Sequence, residues 1–142
     1  MRPANPITPV PLRLLAASLL LFGLACGDSP TQSPPGIEPQ ITNLQDAFSY
    51  QVTSLSRVTG TWDYTWQNTG TLAKVTHASD AGATGTATLT IRDGAGTQVY
   101  TGPFATSGEP VTSPSGVAGA WTVTVTYANY SNSQVNFAVV RQ

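Results

Sequence analysis

Side chains able to perform acid–base, nucleophilic or metal chemistry are few in this 142-residue chain, which has one Cys, one His and seven Asp plus Glu. His77 and Asp80, with a Ser or Thr, could form a hydrolytic triad, which needs a nucleophile within hydrogen-bond reach of an oriented base. No Gly-x-Ser-x-Gly elbow presents such a nucleophile, and residues 74–82 read as a strand running into a turn. We therefore expect His77 to be a surface or rim residue and predict no catalytic residues.

The carboxylates of the folded region are too dispersed for paired-acid chemistry. They are Asp46, Asp63, Asp80, Asp93 and Glu109. A glycosidase needs two facing carboxyl groups, and calcium needs several converging oxygens, but no Asp-x-Asp spacing occurs here. One Cys with one His also excludes a Cys/His zinc cluster within one chain. Asp80 and Asp93 are typical of turns. The sequence thus predicts no metal site, no cofactor and a protein that is not an enzyme.

Three aromatic residues at alternate positions, Trp62, Tyr64 and Trp66, form the most specific candidate site. Residues two apart on a strand face the same way, so their rings form one row. If this row is exposed, it is a ligand platform on which sugar rings could stack. If it faces inward, the rings belong to the core, where each buries about 150–250 Å². Exposure of Trp62 and Trp66 decides between these alternatives.

The single Cys, Cys26, follows an apolar segment at the amino terminus. Arg2 and Arg13 are the only charges before it, and residues 14–25 are all apolar or small. This run of 12 residues is shorter than the about 20 needed to cross a bilayer. A basic start, a short apolar stretch and small residues predict a secretory signal peptide over residues 1–25. The alternative is a buried core helix.

The segment Leu21-Phe22-Gly23-Leu24-Ala25-Cys26 resembles the cleavage box of bacterial lipoprotein precursors. Ala25 and Cys26 match the box, whereas Gly23 and Leu24 depart from its usual Leu and small residue. The resemblance implies cleavage before Cys26, a diacylglyceryl group on its sulfur and an acyl chain such as palmitate on its new α-amine. Several acyl chains anchor a protein firmly, because each buried CH₂ contributes about 0.8 kcal/mol. The alternative is secretion with Cys26 left as a free thiol.

The residues after Cys26 bear on the membrane that receives the protein. In lipoproteins of the enteric type, Asp directly after the lipidated Cys retains the protein at the inner membrane. Gly27 fills that position here, and Asp28 follows it. The resemblance therefore implies a lipid-anchored protein of the cell envelope, located at the outer membrane.

Composition divides the chain into a signal peptide (1–25), a tether (26–40) and one folded domain (41–142). The tether has four Pro among 15 residues and little to bury, so we expect an unstructured or polyproline-like stalk. At about 3.1 Å per residue, such a stalk would hold the domain about 40 Å from the lipid.

After residue 40, apolar and polar residues alternate with a period of two, and many outward positions are Thr. This pattern is typical of half-buried strands, and turn residues such as Asp93-Gly94-Ala95-Gly96 predict a hairpin. We predict strands near 46–54, 59–67, 71–78, 86–92, 97–101, 110–112, 119–127 and 133–141. The fold class is all-β, an antiparallel β-sandwich of the jelly-roll kind with seven to nine strands, favoured over a barrel.

Three segments resemble pre-peptidase C-terminal domains, which are small β-sandwich modules of secreted bacterial proteins. Residues 46–52 are similar to their opening strand, 89–100 to their central hairpin and 119–125 to their Gly-x-aromatic strand. The likeness covers most of residues 46–140. Ala83-Thr84-Gly85-Thr86 stands where an acidic run often precedes the hairpin, so no metal site is carried over. The resemblance implies an accessory, stabilising or adhesive module.

Charge restricts the partners. Six Lys plus Arg against seven Asp plus Glu cannot form a phosphate-tracking face, so nucleic acid is excluded as a partner. We expect contact with the membrane through the lipid anchor, and with a polysaccharide or another envelope protein. The predicted function is a non-enzymatic accessory, structural or adhesion module. The alternative is a carbohydrate- or peptidoglycan-binding protein that uses the Trp62, Tyr64 and Trp66 row.

Overall fold

The computed structural model describes residues 37–79, 82–103 and 108–142. Within these ranges, segments in which apolar and polar residues alternate form strands. The strands in these ranges are β1 (Gln40–Leu44), β2 (Ala47–Asn68), β3 (Ala73–Ser79), β4 (Thr84–Arg92), β5 (Gln98–Pro103), β6 (Val111–Thr112) and β7 (Gly119–Arg141). They hold 74% of the described residues, which include no helix, and every pairing is antiparallel. The predicted all-β antiparallel fold is confirmed.

Two long strands, β2 and β7, pair along almost their whole length and divide the curled sheet into two parts. We call sheet I the part made by β5, β4, residues 119–128 of β7 and residues 60–68 of β2. Sheet II consists of β6, β3, residues 131–141 of β7, residues 47–55 of β2, and β1. Strands that pass between two packed sheets are a known way to build a corner.

Both long strands bend where they pass from one sheet to the other. Ser54 and Arg57 of β2 and Asn129 of β7 have positive φ angles, and the pairing register shifts nearby. The Arg57 N–H donates to Ser131 Oγ at 2.8 Å, and the Asn129 N–H donates to Thr59 Oγ1 at 2.9 Å. These bonds fasten the two bends together. The sequence predicted two separate strands at each bend, one on either side of it, whereas the structure has one continuous strand through each bend.

The inner faces of the two sheets pack against each other. The Phe48 ring of sheet II lies 5.7 Å from the Tyr64 ring of sheet I, although both belong to β2. The Tyr127 hydroxyl donates to Tyr50 Oη across the same interface at 3.2 Å. Ile37 is also part of this core, so packing starts four residues before the boundary predicted at 41. The largest fully buried side chains are Trp66, Trp121, Tyr50, Tyr127, Phe48, Leu89 and Ile91.

Candidate functional site

The predicted aromatic row lies on the inner face of sheet I. Trp66 has 0% and Tyr64 6% of its surface exposed, and Trp62 is half-buried against the core. The Trp66 ring meets Trp121 edge to face, with centroids 5.7 Å apart. The Trp62 ring covers Gly60, where no room remains for a Cβ atom.

Buried rings cannot stack against a sugar, so this fold does not present the row as a continuous platform. Of the two alternatives for the row, the structure places Tyr64 and Trp66 in the core and leaves Trp62 at its rim. Tyr64 Oη and Trp66 Nε1 have no hydrogen-bond partner among the described residues. Burial raises the pKa of the Tyr64 hydroxyl, which therefore stays neutral.

Asp93 organises the predicted hairpin between β4 and β5, which the structure confirms. Its Oδ1 accepts bonds from the N–H groups of Ala95 and Thr97, and its Oδ2 accepts one from Val117 at 2.8 Å. The Val117 N–H is the main reason why the pKa of this carboxyl is lowered, with the hairpin amides adding to it. The predicted turn role of Asp93 is confirmed, and the carboxylate also fastens the segment before β7.

Asp46 occupies the turn between β1 and β2 with a φ of 65°. Its Oδ1 accepts a bond from the Thr69 N–H at 2.7 Å, and Arg141 Nε lies 3.4 Å from its Oδ2. The Thr69 N–H contributes most to lowering the pKa of this carboxyl, and Arg141 adds a smaller effect. Asp63 accepts a 2.6 Å bond from the Thr124 hydroxyl on the outer face of sheet I. All three carboxylates thus hold parts of the fold together.

Within the described ranges, the remaining residues that were considered for catalysis do not form a catalytic arrangement. His77 is half-buried on β3, and Glu109 is exposed. Asp80 and Cys26 lie outside the described residues. Within the described ranges, no three His, Cys, Asp or Glu side chains are close enough to hold a metal ion. The same part of the chain contains no helix of the length and apolarity that crossing a membrane requires.

A groove of about 310 Å³ crosses the outer face of sheet II. The strand register places the polar and small side chains that line the groove in two neighbouring rows across four strands. The first row is Gln40, Gln51, Asn136 and Ala78, and the second is Thr42, Ser49, Ala138 and Thr76. Because the side chains of Ser49, Ala78 and Ala138 are small, they leave room for the groove above them. The volume is at the lower end of the about 300–1,000 Å³ usual for ligand sites.

Asn136 is the unusual member of this groove. Its Oδ1 is buried and accepts no hydrogen bond from any described residue. An unpaired buried acceptor costs about 1–3 kcal/mol, and such groups are rare in native proteins. Asn136 lines the groove, so a ligand donor that gained access to this oxygen would satisfy it.

The outer face of sheet I has a different chemistry. It is covered mainly by Thr, and several of its hydroxyls pair with a neighbour on the next strand. The pairs are Thr61 with Thr126 at 3.2 Å, Thr90 with Thr101 at 3.3 Å, and Thr124 with Asp63 at 2.6 Å. Cross-strand Thr pairs of this kind stabilise a sheet. Several polar groups of this face thus satisfy one another.

Sequence reasoning missed the groove, although a signal was present. The outward positions of the strands in sheet I are mostly Thr, whereas those around Ser49, Gln51, Asn136 and Ala138 are amides and small residues. This change of composition within β2 and within β7 marks the face that carries the groove. The unpaired state of Asn136 depends on the packing of four strands and could not be read from the chain.

No protein-family model matches the chain. A search of curated proteins also found no match.

Proposed function

We propose that the protein is a lipid-anchored, non-enzymatic module of the bacterial cell envelope, acting as an accessory, structural or adhesion domain. The signal peptide predicted at 1–25, the lipidation predicted at Cys26 and the Pro-rich tether predicted at 26–40 support the location. The resemblance to pre-peptidase C-terminal domains supports the accessory role.

The observation that carries the non-enzymatic part is the use of the carboxylates. Asp93 fastens a hairpin to the segment before β7, Asp46 joins the β1–β2 turn to Thr69 and Arg141, and Asp63 binds the Thr124 hydroxyl. Acid–base catalysis needs a carboxyl that is available to a reacting group. In this domain these groups serve as acceptors that hold strands and turns in place.

The anchoring part is tested by the intact mass of the protein extracted from membranes. We expect a chain that begins at Cys26 and carries a diacylglyceryl group and one further acyl chain. Cys26→Ser is the control, and we expect it to lose the lipid mass and leave the membrane fraction. A wild-type chain that begins at Cys26 but has no acyl mass would contradict the proposal.

The choice of membrane is tested by separating inner and outer membranes on a density gradient. We expect the wild-type protein in the outer-membrane fraction and Gly27→Asp in the inner-membrane fraction. Asp28→Asn is the control and should leave the distribution unchanged. A wild-type protein that sediments with the inner membrane would exclude the outer-membrane location.

A further inference from the structure

We propose that the groove on the outer face of sheet II binds a neutral, hydroxyl-rich ligand, namely a short segment of an uncharged glycan chain. This inference concerns the folded domain alone and does not depend on lipidation of Cys26. It also differs from the aromatic platform, because the groove and the Trp62, Tyr64 and Trp66 row lie on different sheets and opposite faces.

The first support is the uncharged character of the lining. Among the described residues that line the groove there is no Asp, Glu, Lys or Arg, and the one basic side chain is that of His77. The groove instead offers amides from Gln40, Gln51 and Asn136 and hydroxyls from Thr42 and Thr76. Within this lining a charged ligand would lose its hydration without gaining a carboxylate, ammonium or guanidinium group as a counter-charge, which is unfavourable. A neutral ligand that both donates and accepts hydrogen bonds is matched by these groups.

The second support is the buried acceptor at Asn136. Its Oδ1 has no partner among the described residues, and a sugar hydroxyl is a donor that would satisfy it. Gln51 is the cross-strand neighbour of Asn136, and its side chain is exposed. Because Asn136 Oδ1 is buried, a ligand has to displace a neighbouring side chain to reach it.

The third support is an apolar row beside the groove. The register places Leu44, Ala47 and Val140 next to one another, adjacent to the row that contains Ser49 and Ala138, and the exposed Lys74 ends this apolar stretch on β3. Leu44 is 61% and Val140 37% exposed, and they are two of the four large apolar side chains most exposed among the described residues. Rows on one face of a strand are about 7 Å apart, so a ligand in the groove reaches this row. Sugar rings have apolar C–H faces that suit such a neighbour.

The experiment measures binding of uncharged oligosaccharides to the full chain by titration calorimetry. The probes are cellohexaose, maltohexaose and N-acetylated chitohexaose, with anionic oligogalacturonate and cationic chitosan hexamer as charged comparisons. The detergent carries a polyoxyethylene headgroup, because a sugar headgroup would compete for the site. We expect at least one neutral probe to bind and both charged probes to bind more weakly.

Three variants locate the binding. Ala138→Arg fills the groove floor and should weaken binding about tenfold or more. Asn136→Leu removes the acceptor and should weaken it about fivefold or more, the equivalent of one hydrogen bond. Ala128→Arg is the matched control, because Ala128 is an exposed residue of the same strand on the outer face of sheet I. It should bind like the wild type.

Folding of each variant is checked by its circular dichroism spectrum and melting temperature. If Ala138→Arg fails to fold, Ser49→Arg replaces it on the same row. The proposal is overturned if no neutral probe binds, if a charged probe binds more tightly, or if the groove variants bind as well as the wild type. These readings are independent of the lipid mass, so the groove and the anchor can fail separately.

Discussion

The outer faces of sheets I and II are built largely from the same two strands, yet their chemistry is opposite. On sheet I, Thr hydroxyls pair across strands, as Thr61 does with Thr126. On sheet II, amides and small residues form a groove in which Asn136 Oδ1 stays unpaired. A face that has satisfied its own polar groups is suited to contact with water. A face with an unpaired acceptor is less stable by itself and is suited to contact with a ligand.

The inner faces do not differ in this way. Sheet I contributes Trp66 and Trp121, and sheet II contributes Phe48, Tyr50 and Phe137, which stack with centroids 5.1–5.9 Å apart. Both inner faces are aromatic and buried. Both sheets therefore contribute to stability, whereas the proposed binding groove lies on sheet II alone.

The largest expected effect is in the shared core. Trp66→Ala should lower the free energy of unfolding by about 3–5 kcal/mol, as for other buried aromatic residues. Trp62→Ala should cost clearly less, because Trp62 is only half-buried. Guanidinium denaturation of both variants measures the difference. Equal effects would contradict the placement of Trp66 in the core and Trp62 at its rim.

The second effect is the dependence of stability on pH. The pKa values of Asp46 and Asp93 are lowered in the folded protein, so these groups stabilise it above their unfolded pKa of about 3.8. That contribution is lost as the pH falls through their lower folded pKa values. Melting temperatures measured from pH 5 to pH 2 should therefore drop, and Asp93→Asn should flatten the curve while lowering it at pH 5. An unchanged slope in this variant would exclude Asp93 as a source of the acid sensitivity.

A third effect tests the difference between the outer faces directly. Asn136→Leu removes a buried unpaired acceptor, so we expect the free energy of unfolding to rise by about 1 kcal/mol. Urea denaturation measures this change. A loss of stability would show that Asn136 is paired in solution and that the groove resembles the Thr face.

The smallest expected effect is a loss of stability, opposite in sign to the gain expected for Asn136→Leu. Thr126→Val removes one hydroxyl of the pair with Thr61 and should lower the free energy of unfolding by about 0.2–1 kcal/mol. The same denaturation experiment applies, with Thr122→Val as a control at an outward position of the same strand. A gain in stability at Thr126 would remove the distinction between a satisfied and an unsatisfied face.

Most of the strand faces could be predicted from the sequence, because alternation reports directly which side of a strand is buried. Ala87, Leu89 and Ile91 of β4 are all buried as predicted. β1 was missed because it is an edge strand whose residues are mostly exposed, so its sequence QITNL shows no alternation. The bend in β2 was predicted as a gap between two strands, because Ser54 and Arg57 interrupt the alternation of apolar and polar residues. The backbone pairing with β7 resumes beyond them.

The candidate sites were harder to predict. Alternation shows that Trp62, Tyr64 and Trp66 share a face, but it does not say whether a second sheet covers that face. The groove needs the register of four strands before Ser49 and Ala138 become neighbours. Tertiary packing, which no local pattern encodes, decided both questions.

The position of β7 in the chain determines when the core can form. β7 pairs with β2, β3 and β4 and follows all of them in sequence, with Ala47 matched to Val140. Long-range pairings of this kind form slowly, because distant segments must first meet. Until residues 119–141 have emerged, neither sheet has its central strand and the core cannot close. If the protein is exported as proposed, the chain would remain unfolded while it passes through the export channel and would complete its fold only after residues 119–141 have emerged.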